Sequence, residues 1–466
     1  MNTADARAAP GLHNAVDLRP RVRGSVLLPG DDGYAAGSSG HNTALVHRPA
    51  VVVTADGDDD VREAVRFAAR HGLPIAVHAT GHGQAVPTDG AVLVNTAQMN
   101  EVRVDPVSRT ARIGAGARWE QVIDAAFGFG LAPPSGSAPR VGAVGYTLGG
   151  GLGPLGRSRG YAADNVRSFE VVTADGVART ASAEEHPDLF WALRGGKGNF
   201  GVVTSMVIGL FPVPRLYGGG LFFPGEKAAD ILHAYRRWTA ALPEEMTSSV
   251  ALTRFPPVPE VPGEVRGRFA VHLRVAYCGP EEQGRRLLEP MRLAGPPLLD
   301  TVQDMPFTDV GTINGDPTEP GPYYERSTVL DGLGPEVVDV LLDHAGPGTD
   351  SPLAVVELRH LGGALARPPE PGNAVGNRNR GFTVFTAGVP EPDARAVQRH
   401  QERLVAALAP WGSGGPFLCF QSADESTPDH VRAAYEPETF ERLVRVKRDY
   451  DPRDVFRLTH RISARS

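Results

Sequence analysis

Cysteine is nearly absent. Two residues in 466, Cys278 and Cys419, cannot build a disulfide framework, and such sparing use fits a reducing compartment. Long apolar runs are missing too. No stretch approaches the roughly 18 apolar residues of a membrane span, and residues 1–20 lack the apolar core of a secretory leader. A cytoplasmic chain with no membrane partner is expected. Basic runs are also lacking: Lys and Arg number 47 against 54 Asp and Glu, a net charge of −7. A nucleic-acid binder would show a basic face, so no nucleic-acid partner is expected. What the chain does have is a globular mix, 41% hydrophobic and 22% charged, which excludes disorder as its main state. Glycine and proline stand out, at 55 and 41 residues, about a fifth of the chain against an average of roughly 12%. No collagen-like period orders them, so they belong to loops and turns. The length suits two domains of ordinary size; oligomeric state is not legible in it.

Residues 1–48 read as a polar, glycine-rich N-terminal arm with little periodicity. From Ala50 to Thr54 the chain reads as a short buried strand, and Asp58-Asp59-Asp60 places acids where a helix N-terminus favours them. Val61, Ala64, Val65, Ala68 and Ala69 share one helical face, Gly72 caps it, and Leu73–Val77 begins another strand. This predicts a βαβ unit. Ala91–Val94 and Thr110–Gly114 read as strands, and Trp119, Val122, Ile123, Ala126 and Phe127 repeat the helical spacing. Phe169–Ala174 and Val177–Thr180 flank Asp175-Gly176, a hairpin turn. Pro187–Arg194 is a short helix with proline near its start, and Gly201–Leu210 is an apolar strand. Beyond Pro212 and Pro214 the composition shifts, and Phe269–Ala276, Leu353–Leu361 and Phe382–Ala387 read as strands of a second domain. In the tail, Phe417–Phe420 reads as a strand and Phe440–Asp449 as a helix.

The densest unusual backbone is Gly142-Ala143-Val144-Gly145-Tyr146-Thr147-Leu148-Gly149-Gly150-Gly151-Leu152-Gly153. Glycine lets a loop lie against a ligand and turn its N–H groups inward. Gly151-x-Gly153-x-x-Gly156 satisfies a dinucleotide fingerprint, with Asp175 about 20 residues on. Its context fails: no clean strand precedes Gly151, Pro154 interrupts, and Gly160 prevents a crossover helix. His78 and His82 have the spacing of a zinc pair on a helix, but Gly81 and Gly83 disfavour that helix and no third ligand is evident nearby. No metal is expected. A histidine in a glycine-flanked loop after a strand is either a nucleophile or hydrogen-bonding group, or a structural loop residue. In the loop Arg194-Gly195-Gly196-Lys197-Gly198-Asn199-Phe200-Gly201, Lys197 either adds charge for a phosphate or is a solvated surface lysine.

Taken together, strand-x-x-Gly-His ending at His82, Thr147–Gly153, Asp164-Asn165, and Asp188-Leu189-Phe190-Trp191-Ala192-Leu193-Arg194 running on to Val202-Val203-Thr204 resemble a known family. It is that of the FAD-linked oxidases, the berberine-bridge-enzyme-like branch of the vanillyl-alcohol oxidase and p-cresol methylhydroxylase (PCMH) superfamily. The tail from Tyr435 to Phe456 is similar to that family's C-terminal segment, so the resemblance runs from about Pro49 to Phe456. It implies an α+β fold: a bipartite PCMH-type FAD-binding domain at 49–214, an inserted substrate domain at 215–414 on an antiparallel sheet with helices, and a segment at 415–466 returning to the FAD domain. It implies FAD, contacted from Val77, Ala79, Thr80, Gly81, His82 and Gly83; from Ala138, Val141, Gly142, Gly145, Tyr146, Gly149, Gly150, Gly151 and Gly153; from Asn165, Gly198, Asn199, Gly201 and Val203; and from Phe417 and Cys419. It assigns His82 to the position joined covalently to the flavin 8α carbon, a role open to histidine because it is largely neutral at pH 7.

Two departures matter. Where doubly attached relatives have cysteine in Gly-x-Cys-Pro-x-Val-Gly, this chain has Ala138, so single attachment is expected. The family's Tyr-x-Asn-Tyr is Phe417-Leu418-Cys419-Phe420 here, which loses a phenol and an amide. A base must then come from elsewhere. Strand alternation puts Val355, Glu357, Arg359 and Leu361 on one face and Val356, Leu358 and His360 on the other. Glu357 beside Arg359 is either a pocket base or half of a solvated ion pair, with Tyr146, Tyr323 and Tyr324 as further candidates. The reading is an FAD-dependent oxidoreductase passing a hydride from a small organic molecule, such as a secondary metabolite, to flavin N5, with O2 as acceptor. A flavin-containing cyclase or isomerase without net redox, and a catalytically disabled flavin-binding protein, are the alternatives.

Overall fold

The computed structural model describes residues 12–84, 86–412, 415–422 and 425–463, and of residues 12–15 and 419 the backbone alone. Among these residues the strands form three sheets. The first runs in the order Ser25–Leu27, Val51–Thr54, Val92–Asn95, Ile75–His78. Its last three strands are parallel, and Ser25–Leu27 pairs antiparallel at the edge. The predicted helix spans Asp58–His71, with its acids in the first turn and Gly72 left-handed at φ 67°. Val61, Ala64, Val65 and Ala68 are fully buried against the sheet. The N-terminal arm is more than loose polar chain. Besides its edge strand, Asp60 accepts the N–H groups of Arg23 and Gly24 at 2.7 and 2.9 Å, which satisfies a buried carboxylate through backbone that periodicity does not reveal.

The second sheet is antiparallel, in the order Val102–Asp105, Thr110–Gly114, Val202–Gly209, Val166–Val172, Ala178–Ser182. The Asp175 turn joins its last two strands. The Asp175 carboxylate accepts from the Val177 N–H and pairs with Arg179 at 2.7 Å, so its role is local to the hairpin.

The third sheet takes eight antiparallel strands, all between Arg215 and Gly388. Its centre runs Arg215–Pro224, Phe269–Tyr277, Met246–Arg254, Val355–His360, Phe382–Gly388, Tyr324–Leu330. Helices Ala228–Thr239, Pro335–Ala345 and Ala394–Leu408 bury Ile231, Leu341 and Leu404 on one face, where Val250, Leu273, Val356 and Leu358 meet them. Strand alternation therefore turns Ser249, Arg274, Glu357, Arg359 and Glu325 to the opposite face. That face is charged, and it looks toward the glycine-rich loops.

The tail packs back on the first half of the chain. Helix Pro437–Tyr450 places Leu443 and Val446 in the cluster containing Leu189 and Phe200. Phe417–Phe420 is no strand: Leu418–Phe420 is one 3-10 turn, because the Phe420 N–H bonds locally to the Phe417 carbonyl at 2.8 Å. Lys447 is fully buried, with Nζ donating to Asn199 O at 2.8 Å and Phe456 O at 3.0 Å and pairing with Asp451 at 2.7 Å. Lys447→Met removes the cation and leaves the Asp451 carboxylate buried. Chemical denaturation of that variant is expected to show a loss of about 3–5 kcal/mol, and a loss below about 1 kcal/mol would contradict this account.

Candidate active site

The parallel strand Ile75–His78 ends at a groove, where the chain turns through Ala79–Gly83. Gly81 and Gly83 take φ of 72° and 64°, left-handed values natural to glycine, so His78 and His82 share no helix. At Gly81 a side chain is doubly barred, since a Cβ would lie 2.7 Å from the Gly40 Cα. The backbone N–H groups of Thr80, Gly81, His82 and Gly83 find no acceptor among the described residues. Successive N–H groups without acceptors, in a loop with left-handed glycines, suit an anion-binding nest. Opposite stand Val141, Gly142, Gly145, Tyr146 and Leu148, then Lys197, Gly198, Gly201 and Val203, with Phe456, Leu458 and Thr459 from the tail. Together these residues line one elongated groove. A dinucleotide with a central pyrophosphate fits it on two counts. Unpaired N–H donors await an anion, and at Gly83 and Gly145 a Cβ would meet nothing within 4 Å, so the walls stay open there.

His82 sits in this wall. Its Nδ1 lies 2.9 Å from Thr80 Oγ1, and its ring stacks on His41 with centroids 3.7 Å apart. Burial, with help from His41 and Arg118, lowers its pKa to about 3. The imidazole is neutral at any ordinary pH, and Nε2 has no partner among the described residues.

Of the residues expected at the cofactor, Val77, Ala79, Thr80, Gly81, His82, Gly83, Val141, Gly142, Gly145, Tyr146, Gly198, Gly201 and Val203 line this groove. Lys197 joins them half-buried at a φ of 55°, so it is not a solvated surface lysine. Others have different work. Asn199 is fully buried and bonds Gly196 O, His460 O and the Ile462 N–H; Asn165 donates to Arg159 O and Tyr161 O. Both fasten backbone. Gly150 and Gly151 are left-handed turn residues at φ 105° and 78°, and a Cβ on Gly151 would press within 2.4 Å of the Tyr146 ring. Gly149 and Phe417 border a small adjoining cavity. Ala138 is half-buried and its carbonyl accepts the Val141 N–H. The Cys419 side chain lies outside the described residues.

A second cleft is lined by the charged sheet face together with Ser137, Leu152, Gly153 and Ile313. Glu357 is 2% exposed and bonded at both oxygens: Ser249 Oγ donates at 2.6 Å, Arg274 pairs at 2.7 Å, and Arg359 pairs through Nε and Nη2 at 3.0 and 2.9 Å. Burial raises its pKa, but Arg359, Arg274 and Ser249 outweigh it and hold the carboxyl at about 2. The shared face expected for Glu357 and Arg359 is present; a solvated pair it is not. Tyr146 stands at the junction of groove and cleft. It lines the groove, its ring meets Trp119 edge-on at 5.7 Å, and its hydroxyl would touch a Cβ on cleft residue Gly153 at 3.0 Å. Among the groups that favour the Arg359 cation against burial, it stands with Glu357 and Asp316.

Tyr324 packs against the core beneath the helices, while the next residue, Glu325, occupies the cleft-facing register. Sequence reading passed over Glu325, although alternation along Tyr324–Leu330 sets it apart. It borders a small cavity with Asn42, Gln84 and Ser422, and has no hydrogen-bond or ion-pair partner among the described residues. Burial raises its pKa to about 7, Lys197 opposing and Glu425 adding. The sign of the linkage follows: between the ordinary 4.5 and 7, the folded chain holds a proton that the unfolded chain has released. Stability is therefore expected to fall by about 2–3 kcal/mol as pH rises across that window and to level off above it. Parallel denaturation of Glu325→Gln should lack this slope; matching slopes would contradict the assignment.

Two family models match the chain: an FAD binding domain over residues 49–182, and a "berberine and berberine like" segment over residues 417–463. The chain is 27% identical to (R)-6-hydroxynicotine oxidase of Paenarthrobacter nicotinovorans, an alignment covering 95% of this chain and 97% of that one. It is 26% identical to an FAD-linked oxidoreductase of Dictyostelium discoideum over 94% of each. Among solved structures, 6-hydroxy-D-nicotine oxidase of Arthrobacter nicotinovorans superposes with a TM-score of 0.84 at 25% identity, over 95% of this chain and 98% of that one. Physcomitrella patens BBE-like 1 shares the fold at the same TM-score, at 20% identity and over 96% and 98%. With both matched segments contributing to the groove and a likeness to FAD-linked oxidases along nearly the whole chain, the protein carries an FAD binding domain and a berberine-like C-terminal segment and is an FAD-dependent oxidoreductase.

Proposed function

We propose that this protein is a flavin oxidase that holds FAD in the groove, singly tethered through His82, and oxidises a small organic molecule seated in the charged cleft, with O2 as the final acceptor. The observation that carries the reading is the meeting of an unpaired N–H run with a buried histidine that is neutral near physiological pH, in one loop. On this reading 49–214 and 415–466 make the FAD domain and 215–414 the inserted substrate domain. The cofactor, when bound, supplies the hydride-accepting chemistry. The chain supplies the rest. Thr80–Gly83 offer donors to the pyrophosphate, and Thr80 orients the His82 ring through Nδ1. Ala138 offers no thiol for a second bond.

Glu357 is not the base. An ionised carboxylate with both oxygens engaged orients Arg274 and Arg359 and has little affinity for a proton near neutral pH. We assign proton exchange to the Tyr146 hydroxyl, which lies where groove and cleft meet and acts electrostatically on the Arg359 cation.

The name (R)-6-hydroxynicotine oxidase attaches to a relative and supports the oxidase class without naming this chain's substrate. The test is anaerobic mixing with candidate substrates. Bleaching of the visible flavin band, followed by peroxide when air is admitted, is expected. Product formed without bleaching would establish non-redox cyclisation instead.

A further inference from the structure

The charged cleft holds more guanidinium donors than it uses. Arg274 spends Nη1 on Glu357 and Nε on His272 Nδ1 at 3.1 Å. Arg359 spends Nε and Nη2 on the same carboxylate. Arg274 Nη2 and Arg359 Nη1 are left without an acceptor among the described residues, on side chains only 9% and 15% exposed. Two guanidiniums thus share one carboxylate. His272 brings no compensating charge, being buried and neutral beside Arg274. The other acid acting on Arg359 is Asp316, half-buried, with one oxygen taken by the Ser137 hydroxyl at 2.8 Å. Buried charged donors without acceptors are costly, and here they open into a cleft rather than being sealed in protein.

We infer that Arg274 and Arg359 form a subsite for a planar carboxylate, so that the substrate class is small organic acids with an apolar body. The guanidinium fork matches a carboxylate in geometry and charge, and the unfilled N–H donors of Arg274 and Arg359 suit the two oxygens of a monoanion. Leu152 and Ile313 give the cleft apolar wall, and the Phe420 ring lies under Arg359 at 4.8 Å, together suited to an aromatic or branched body next to the acid. The inference rests on the reading above that the cleft is where substrate lies.

Calorimetric titration with benzoate and with its neutral isostere benzamide tests it on the purified protein, alongside the visible spectrum of bound flavin. Benzoate is expected to bind at least about tenfold tighter than benzamide, with Arg359→Met and Arg274→Met each losing about tenfold in benzoate affinity. Glu357→Gln separates recognition from scaffolding. Removing the competing carboxylate releases donors, so benzoate should bind several-fold tighter, whereas a merely structural network would weaken binding. Equal binding of the two probes, or benzoate affinity unchanged in both arginine variants, would overturn the inference. Flavin absorbance without benzoate binding sinks the subsite alone; benzoate binding by a protein that never takes up flavin supports the subsite and sinks the oxidase reading.

Discussion

After acid denaturation, the parent polypeptide is expected to keep yellow fluorescence through a denaturing gel, and His82→Ala to lose all of it. Alanine has no nitrogen to bond the 8α carbon, and Ala138 offers no alternative thiol. Cofactor binding itself should survive in the variant. The unpaired donors of this groove-lining loop are backbone N–H groups of Thr80, Gly81, His82 and Gly83, which the substitution does not touch, so the native variant should be yellow with dissociable flavin. The pH dependence adds a sharper condition. A histidine with the ordinary value of 6.5 would be about nine-tenths protonated at pH 5.5, cutting attachment about tenfold relative to pH 8. With the ring held at about 3 by burial, His41 and Arg118, attachment to FAD-free protein should hold steady across that range. A tenfold decline at pH 5.5 would mean that the ring charges normally. Flavin retained on the His82→Ala polypeptide would falsify the tether outright.

Tyr146→Phe is expected to slow flavin reduction by about 10²–10⁴-fold, the range usual for removing a general acid or base. The substrate for this measurement is selected by peroxide release from a panel of small aromatic and branched acids. The ring's packing against Trp119 survives in phenylalanine, so stability and flavin content should be near the parent's. Benzoate binding should be unaltered, because the arginines stay in place. This pattern separates a proton-exchanging residue from one that only fills space. If Tyr146→Phe reduces its flavin at the parent's rate while Glu357→Gln loses activity about as steeply, proton exchange belongs to Glu357 after all.

Much of the groove was legible along the chain because its parts are local. A strand followed by Ala79-Thr80-Gly81-His82-Gly83 writes its own geometry: β-rich residues end the strand, and two glycines permit positive φ. Alternation from Val355 to Leu361 likewise placed Glu357 and Arg359 together, since a strand's period of two is independent of what lies opposite. Partners from other strands have no such signature. Arg274 and Ser249 reach Glu357 only through the register of Met246–Arg254 with Phe269–Tyr277 and Val355–His360. Alone, Glu357 beside one arginine reads equally well as base or surface pair; the second arginine and Ser249 make it a buried carboxylate bonded at both oxygens.

Glu325 shows the converse. Alternation alone puts it on a face but does not mark its chemistry, because its unusual proton affinity arises from burial and from Lys197 and Glu425, residues far away along the chain in either direction. From residue order alone came the glycine-shaped loop, the histidine within it and the charged strand, each set by backbone freedom or by periodicity over a few residues. Folding decided which of these charges are paired, which stay neutral and which face an open cleft. Charge balance in a desolvated site is a sum over every group that packing brings within a few ångströms, and no local stretch of chain contains that sum.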